Sequence, residues 1–580
     1  MKIKRSGIVF VSLLLFAGIL FLVFGCGTGG GGGGSSIPSG ALVDIWVSTT
    51  GSDETGDGSE GNPYRTVQKG LNEASTGEVV GLKNGTYDVA SVNWPVTAEG
   101  ITLRGESRTG AILSDNDVTY PTIYISDTLP VQQTITIESL TLKDANRSGS
   151  TGGSIVSSFS NGNELNLHIK NVLFTNNLAK EGPAIYVSGT SPGSLVVEDS
   201  LFYGNRASGS TSKGGAVSMA NSNFPGTFIN CTFEGNVVEG PDGYSHGGAI
   251  ISSSGLTVNG CSFINNYAYN DTSGIAQGGA VYSQYNAVIE NSTFSGNTAE
   301  AHGGAIYMLG DVDLTLTNCT LSSNTAETEA GGGVYLQSNG SLNATGCTFK
   351  NNKAGGSGGG GGVRSTNSTQ GETQITDCDF IGNRANTGGG AYLYTADVDK
   401  CVFKGNSTGA NAAAVYLYSG GSVINCLFYD NEADGNTGAL FHYASDLDLV
   451  NCTVVSNEAP TSPGLFLGGD ASRVTNIRNC IIMRNIGTGS QINISGTGIT
   501  TIEYSDIQGS FPGTGNLNNV DPVFASSEQD EDQDFMLSAG SPASVTEGGT
   551  TVEAPSDDLS GIITRTPPYS MGAYEYDSSL

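Results

Sequence analysis

Between residues 170 and 490 the apolar positions come in short bursts spaced two apart, and each burst is followed by the same polar signature. The copy at Asn291–Tyr307 reads Asn-Ser-Thr-Phe-Ser-Gly-Asn-Thr-Ala-Glu-Ala-His-Gly-Gly-Ala-Ile-Tyr. It has two halves, Phe-x-x-Asn-x-Ala and Gly-Gly-Ala-Ile-Tyr. The Asn of the first half recurs at Asn177, Asn205, Asn236, Asn266, Asn297, Asn324, Asn352, Asn383, Asn406, Asn431, Asn457 and Asn485. Successive copies lie between 23 residues (Asn383 to Asn406) and 31 residues (Asn205 to Asn236) apart. Three residues before each Asn stands an apolar residue, most often Phe, as at Phe174, Phe263 and Phe428. Two residues further back stands Cys in nine copies, from Cys231 to Cys480, and Val172, Ser200 or Ser292 in the others.

Spacing of two predicts a strand with one buried face, so the Cys and Phe positions point inward and the Thr, Ser or Asp between them points out. The Asn is expected to turn the chain, because Asn tolerates left-handed backbone angles. The small Ala after it suits a tight corner. Gly-Gly then bends the backbone again, and Ala-Ile-Tyr or Ala-Val-Tyr opens another strand. No such unit buries its apolar face alone, so repeats of this length must stack as coils of a β-solenoid. The fold class is all-β, a right-handed parallel β-helix, the hand following the usual crossover preference.

The chain before and after the repeats has other patterns. Lys2, Lys4 and Arg5 precede an apolar run, Ile8 to Phe24, which ends in Leu22-Val23-Phe24-Gly25-Cys26. This resembles the signal peptide and lipobox of bacterial lipoproteins, although Phe24 is larger than the usual residue there. The resemblance implies a signal peptide over residues 1–25 and lipidation of Cys26. Residues 26–43 then form a Gly-rich tether, with Gly29 to Gly34 consecutive. Asn62-Pro63 looks like a cap and first position of a short helix, with Tyr64, Val67, Leu71 and Ala74 on one face. Such a helix would cover the open end of the solenoid. The β-helix is expected over residues 44–520, its regular repeats over about 165–490, and a closing segment over 521–580.

The segment with Asp57-Gly-Ser, Asn62-Pro63-Tyr64 and Gly85-Thr86-Tyr87 resembles the capping region of β-helix proteins of the pectate-lyase-like superfamily. Phe-x-x-Asn paired with Gly-Gly-Ala-Ile resembles the repeat of the chlamydial polymorphic outer-membrane protein family. The large transmembrane barrel that ends those proteins needs many alternating strands, and fewer than a hundred residues follow Asn485. Asp521-Pro522-Val523-Phe524, Gly540-Ser541-Pro542-Ala543 and Gly572-Ala573-Tyr574-Glu575-Tyr576 resemble the C-terminal region of the choice-of-anchor Q proteins, which are bacterial surface proteins.

Composition narrows the partners. A formal net charge of −31 disfavours nucleic acid, whose phosphates would be repelled. It also disfavours anionic lipid surfaces, which leaves the lipid on Cys26 as the membrane contact, on the outer membrane or cell surface. So acidic a surface suits cations, calcium among them, without a specific motif to hold one. The Cys column reads as buried free thiols, with a disulfide ladder or metal site as the alternative. His246 and His302 share a slot, but Gln277 occupies it on the coil between them, so they do not form a metal site.

Candidate chemistry is sparse. No Lys or Arg occurs from Gly214 through Phe349, which removes the base that a polysaccharide lyase needs from the central coils. Arg565-Thr566-Pro567 faintly echoes a lyase element but lies in the tail. Glu300 and Glu327 follow the repeat Asn by three residues on neighbouring coils, and are weak candidates for an acid and nucleophile or for calcium. The functional expectation is adhesion, or binding of a polysaccharide or cell-surface partner. The alternative is a carbohydrate-active enzyme, a polysaccharide lyase or glycoside hydrolase.

Overall fold

Four residue slots per repeat decide the architecture. In the copy at 287–309, Ala287–Glu290, Thr293–Ser295, Thr298–Ala299 and Ile306–Leu309 are four short strands. Each pairs in parallel with its equivalent one coil away: Val288 with Thr315, Phe294 with Leu321, Ala299 with Ala326, and Tyr307 with Tyr335. The computed structural model is therefore a right-handed parallel β-helix with four sheets, here sheets 1 to 4 in chain order, of 17, 17, 14 and 15 strands. It describes residues 42–580 except 90, 95–97, 116–118, 127–131, 242, 271–274, 338, 367–372, 470–472, 526–534, 552–553, 561–563, 566–568 and 576–580. The expected signal peptide, Cys26 and nearly all of the tether lie outside the described residues.

One hydrophobic core runs the length of the solenoid, from Ile45 to Ile507. The inward Phe residues stack face to face, with centroids 4.4 Å apart at Phe202–Phe233 and 5.0 Å apart at Phe403–Phe428. The nine Cys from Cys231 to Cys480 are buried and free. The Cys452 thiol donates to the carbonyl oxygens of Val423 and Val450, at 3.4 Å each.

The repeat Asn does not turn the chain. The left-handed angle belongs to the residue before it, as at Asn265 (φ 52°), Gly296 (φ 66°) and Arg484 (φ 55°). The Asn itself faces inward, buried, and every bonding position of its amide is used. Asn324 Nδ2 donates to Asn352 Oδ1 and to the Phe294 carbonyl, both at 3.0 Å. Asn324 Oδ1 accepts from the backbone N–H of Asn297 at 2.9 Å and from its Nδ2 at 3.0 Å. The pattern runs unbroken from Asn177 to Asn485. Its first oxygen accepts from the Ala145 N–H, and its last amide donates to Gln491 Oε1 at 2.7 Å. A buried amide is tolerated only when so satisfied.

The corner Ala is also placed differently. Ala299 belongs to the strand of sheet 3 and packs with Ala268 and Ala276 in a small separate core. In the Gly-Gly pair, Gly303 takes a positive φ of 64°, and a Cβ on Gly304 would lie 2.1 Å from the Gly332 carbonyl oxygen. A side chain there would collide with the neighbouring coil.

The N-terminal helix spans Val67–Glu73, and its cap is Thr66, whose side chain accepts from the Lys69 N–H, rather than Asn62. Thr66 takes that role because Asp53 fixes it, accepting its hydroxyl at 2.7 Å and its N–H at 3.0 Å. The helix buries Val67, Gly70 and Leu71. At the other end, the described residues between 521 and 575 lie along the flank of the last coils. Phe524, Phe535, Val545 and Met571 cover Leu427, Tyr429, Val455 and Ile481 on the outer face of sheet 2. Gly572 N–H donates to the Asn479 carbonyl at 2.6 Å, and Lys400 pairs with Asp557.

Asn324→Ala removes the oxygen to which Asn297 donates its backbone N–H and one Nδ2 hydrogen, and leaves those buried donors unpaired at about 1–3 kcal/mol each. Asn339, which is exposed, is the control, and Asn339→Ala should shift stability by no more than about 0.5 kcal/mol. Urea unfolding followed by circular dichroism measures both; equal, small losses would contradict the structural weight assigned to the ladder.

Candidate functional site

Aromatic residues in sheet 4 are set by the pleat. In a strand such as Val415–Leu417 the flanking residues are core, so the middle side chain must point out. Stacking in register converts that position into a column. Tyr392, Tyr416, Phe441 and Phe466 follow one another with centroids 4.8, 4.8 and 4.5 Å apart and planes within 11°. Tyr394, Tyr418 and Tyr443 form a second column beside the first, at 4.6 and 5.4 Å. Tyr443 is 49% exposed, and the rings of Tyr392, Tyr416 and Phe466 are half-buried.

The column continues towards the N-terminus through a cation. The Arg364 guanidinium lies 4.9 Å from the ring of Tyr392 and 5.3 Å from that of Tyr335. Tyr335, Tyr307 and Tyr282 come next, the last two 5.2 Å apart. Here the rings are buried, because sheet 3 carries an extra arm beside them. The arm strands are Ser212–Lys213, Tyr244–His246 and Ile275–Gln277, paired in parallel. They arise where the repeat is longest between its two halves.

Between the arm and sheet 4 lies a cleft of about 280 Å³. Thr211, Lys213, Tyr244 and His246 line it from the arm, and Ile251, Tyr282 and Gln284 from sheet 4. His246 stacks on Tyr282 with centroids 4.2 Å apart. Burial, helped by the charge of Lys213, pushes its imidazole down to about 4, so it is neutral at physiological pH. Its buried Nδ1 finds no partner. Burial likewise raises the Tyr282 phenol to about 12. His302 sits two coils further along, 4.9 Å from Tyr335, and burial also lowers its imidazole. Register pairs His246 with Gln277, and Gln277 bridges to His302, so the two histidines are held apart as their spacing implied.

The weak carboxylate candidates sit elsewhere, at the corner after sheet 3. Register places Glu300 and Glu327 on adjacent coils. Glu300 Oε2 accepts the Asn270 N–H at 2.9 Å, while Glu327 is exposed. Burial first, and then the charge of Glu300, raise the Glu327 carboxyl above its ordinary value. Among the described residues no group of three or more His, Cys, Asp or Glu could hold a metal. Arg565 is a clasp of the tail: it pairs with Glu575 at 2.8 Å and donates to the Gly572 and Ala573 carbonyls.

Two features were within reach of the sequence. The Tyr that closes Gly-Gly-Ala-Ile-Tyr recurs at Tyr282, Tyr307, Tyr335, Tyr392 and Tyr416, an outward strand position whose recurrence implies a column. The stretch without Lys or Arg is real, but Lys213 stands one residue before it and Arg364 fifteen residues after it. Stacking brings both cations against its tyrosines.

The family model described as "Right handed beta helix region" matches residues 215–397 and 361–521, and a family of unknown function, DUF1565, matches residues 49–181. No curated protein sequence matches. Among solved structures, a rhamnogalacturonan lyase is 12% identical, with 58% of this chain and 87% of that one covered and a TM-score of 0.30. A mannuronic acid specific polysaccharide family 6 lyase from human gut microbiota is 11% identical, covering 77% and 87%, with a TM-score of 0.28. The catalytic unit of a GH87 α-1,3-glucanase from Streptomyces thermodiastaticus is 14% identical, covering 79% and 70%, with a TM-score of 0.29. Similarity at this level says nothing about chemistry in this chain.

Glu300→Gln removes the like charge beside Glu327. The Glu327 carboxyl, followed by NMR titration, should then fall towards its ordinary value and stop above it, since burial remains. An unchanged titration would show that the two carboxylates do not interact.

Proposed function

The chain belongs to the right-handed β-helix family, and on that premise we propose that it is a surface-displayed solenoid that binds glycan chains along sheet 4. The observation that carries the reading is the double aromatic column, Tyr392–Tyr416–Phe441–Phe466 beside Tyr394–Tyr418–Tyr443. Sugar rings present C–H faces that pack on aromatic rings, and their hydroxyls reach the phenol groups beside them. A ladder of rings repeating at coil spacing suits a ligand that is itself a linear repeat. Tyr443 is exposed and Tyr392, Tyr416 and Phe466 are half-buried, and aromatic surface left partly in water favours a binding role. The described residues of the tail pack on sheet 2 over the last coils.

Display at the surface, through a lipid on Cys26 and the Gly-rich tether of residues 26–43, is part of the same proposal. The lipobox and the resemblance to repeat-bearing bacterial surface proteins support it. Adhesion follows from a long binding face joined to a lipid anchor through a Gly-rich segment.

Two measurements test these points. Tyr416→Ala combined with Tyr443→Ala should weaken binding to immobilised polysaccharide by at least about tenfold, at roughly 1 kcal/mol or more for each stacked ring. Unchanged binding would remove the column from the site, and release of shorter products from the same polysaccharides would replace binding with an enzymatic reading. In cells, labelled palmitate should enter the protein, and Cys26→Ala should abolish the label; a labelled Cys26→Ala variant would exclude this anchor.

A further inference from the structure

The cleft between the sheet 3 arm and sheet 4 places an ammonium, that of Lys213, beside aromatic and neutral polar side chains. Lys213 makes no ion pair among the described residues, unlike Lys170 and Arg206 nearby, which pair with Glu198 and Glu239. Glu181, its register partner on the preceding coil, feels its charge without bonding to it. The other polar groups of the cleft are neutral. His246 is 8% exposed and uncharged, Tyr244 is 53% exposed, and Gln284 is exposed.

A formal charge of −31 surrounds this ammonium, and the next 136 residues, from Gly214 through Phe349, contain no Lys or Arg. An ammonium that makes no ion pair among the described residues, beside a neutral imidazole and open phenol and amide groups, is suited to receive one negative charge carried by a polyhydroxylated ligand. It is not suited to a polyanion such as nucleic acid, which needs many cations.

We infer that this cleft is a specificity subsite of the glycan-binding face, in which Lys213 binds the anionic substituent of a sugar unit, a carboxylate or a sulfate. Tyr244 offers the exposed ring on which that unit packs, and Thr211 and Gln284 face its hydroxyls. The aromatic columns supply binding to sugar rings of either charge, and the cleft selects chains bearing the substituent. This inference rests on the glycan-binding reading above.

The test uses the folded, unlipidated chain and three matched probes: cello-oligosaccharide, its carboxymethyl form and its sulfated form. Calorimetry should show the chain binding at least one anionic probe about tenfold or more tightly than the neutral one, as a charge-assisted contact provides. Comparison of the two anionic arms identifies the substituent. Lys213→Gln should erase the preference while leaving neutral binding unchanged, and Lys213→Arg should restore most of it. Raising the salt concentration should shrink the preference in the parent chain alone.

Equal affinity for neutral and anionic probes, or a preference that survives Lys213→Gln, overturns the subsite and leaves the aromatic columns standing. Loss of neutral binding in Lys213→Gln overturns it too, since Lys213 would then serve the ring-binding face in general. Binding to none of the probes, with Tyr416→Ala also silent on a wider polysaccharide panel, overturns both readings.

Discussion

A buried carboxamide sets the register of this solenoid. Each repeat Asn is satisfied only when the coil on either side is present and aligned. Its Nδ2 reaches one amide forward and one carbonyl back, and its Oδ1 takes two donors from the preceding coil. Apolar columns alone would tolerate sliding, because one Phe packs on another at many offsets. The amide does not tolerate it, because a displaced coil leaves several buried polar groups unpaired. The Phe stacks, the thiol column and the Gly-Gly contact inherit their alignment from this ladder, and Gln491 terminates it where the repeat ends.

That alignment gives the outer faces their meaning. A tyrosine that recurs once per repeat becomes a continuous ring surface only if coils stack without drift. Repeat length varies from 23 to 31 residues, yet the stacked columns persist. Much of the variation is confined to loops between sheets 3 and 4. Three long loops in succession build the paired arm strands, and the arm turns an otherwise flat face into a cleft. Function-bearing variety is carried at the corners while the sheets stay constant, the usual division between scaffold and loops.

The faces are not equivalent. Sheet 2 is covered over the last coils by the tail, which is fastened by a buried Arg565–Glu575 pair and by hydrogen bonds to Asn479 and Thr453. Sheet 4 keeps its rings half-open. A chain this acidic draws few anions, so a lysine that lines a cleft, as Lys213 does, carries more weight here than it would on a basic protein.

The repeat by itself determined the fold class. Spacing of two around Phe294, the recurrent Asn and the Gly-Gly pair demand short parallel strands stacked as coils, because no single unit can bury its own apolar face. It also determined which side chains are scaffold: Cys and Phe inward, Thr and Ser out. It did not determine what the Asn does, since a turn and a buried ladder share one sequence signal, and only neighbouring amides distinguish them. The cap moved from Asn62 to Thr66 because Asp53, thirteen residues away from Thr66, fixes that residue. The site was less legible still. Glu300 and Glu327 stood out in the sequence by position, whereas Lys213, His246 and Tyr282 lie on three successive coils. They meet only through lateral stacking of segments about thirty residues apart, a proximity that tertiary structure alone decides.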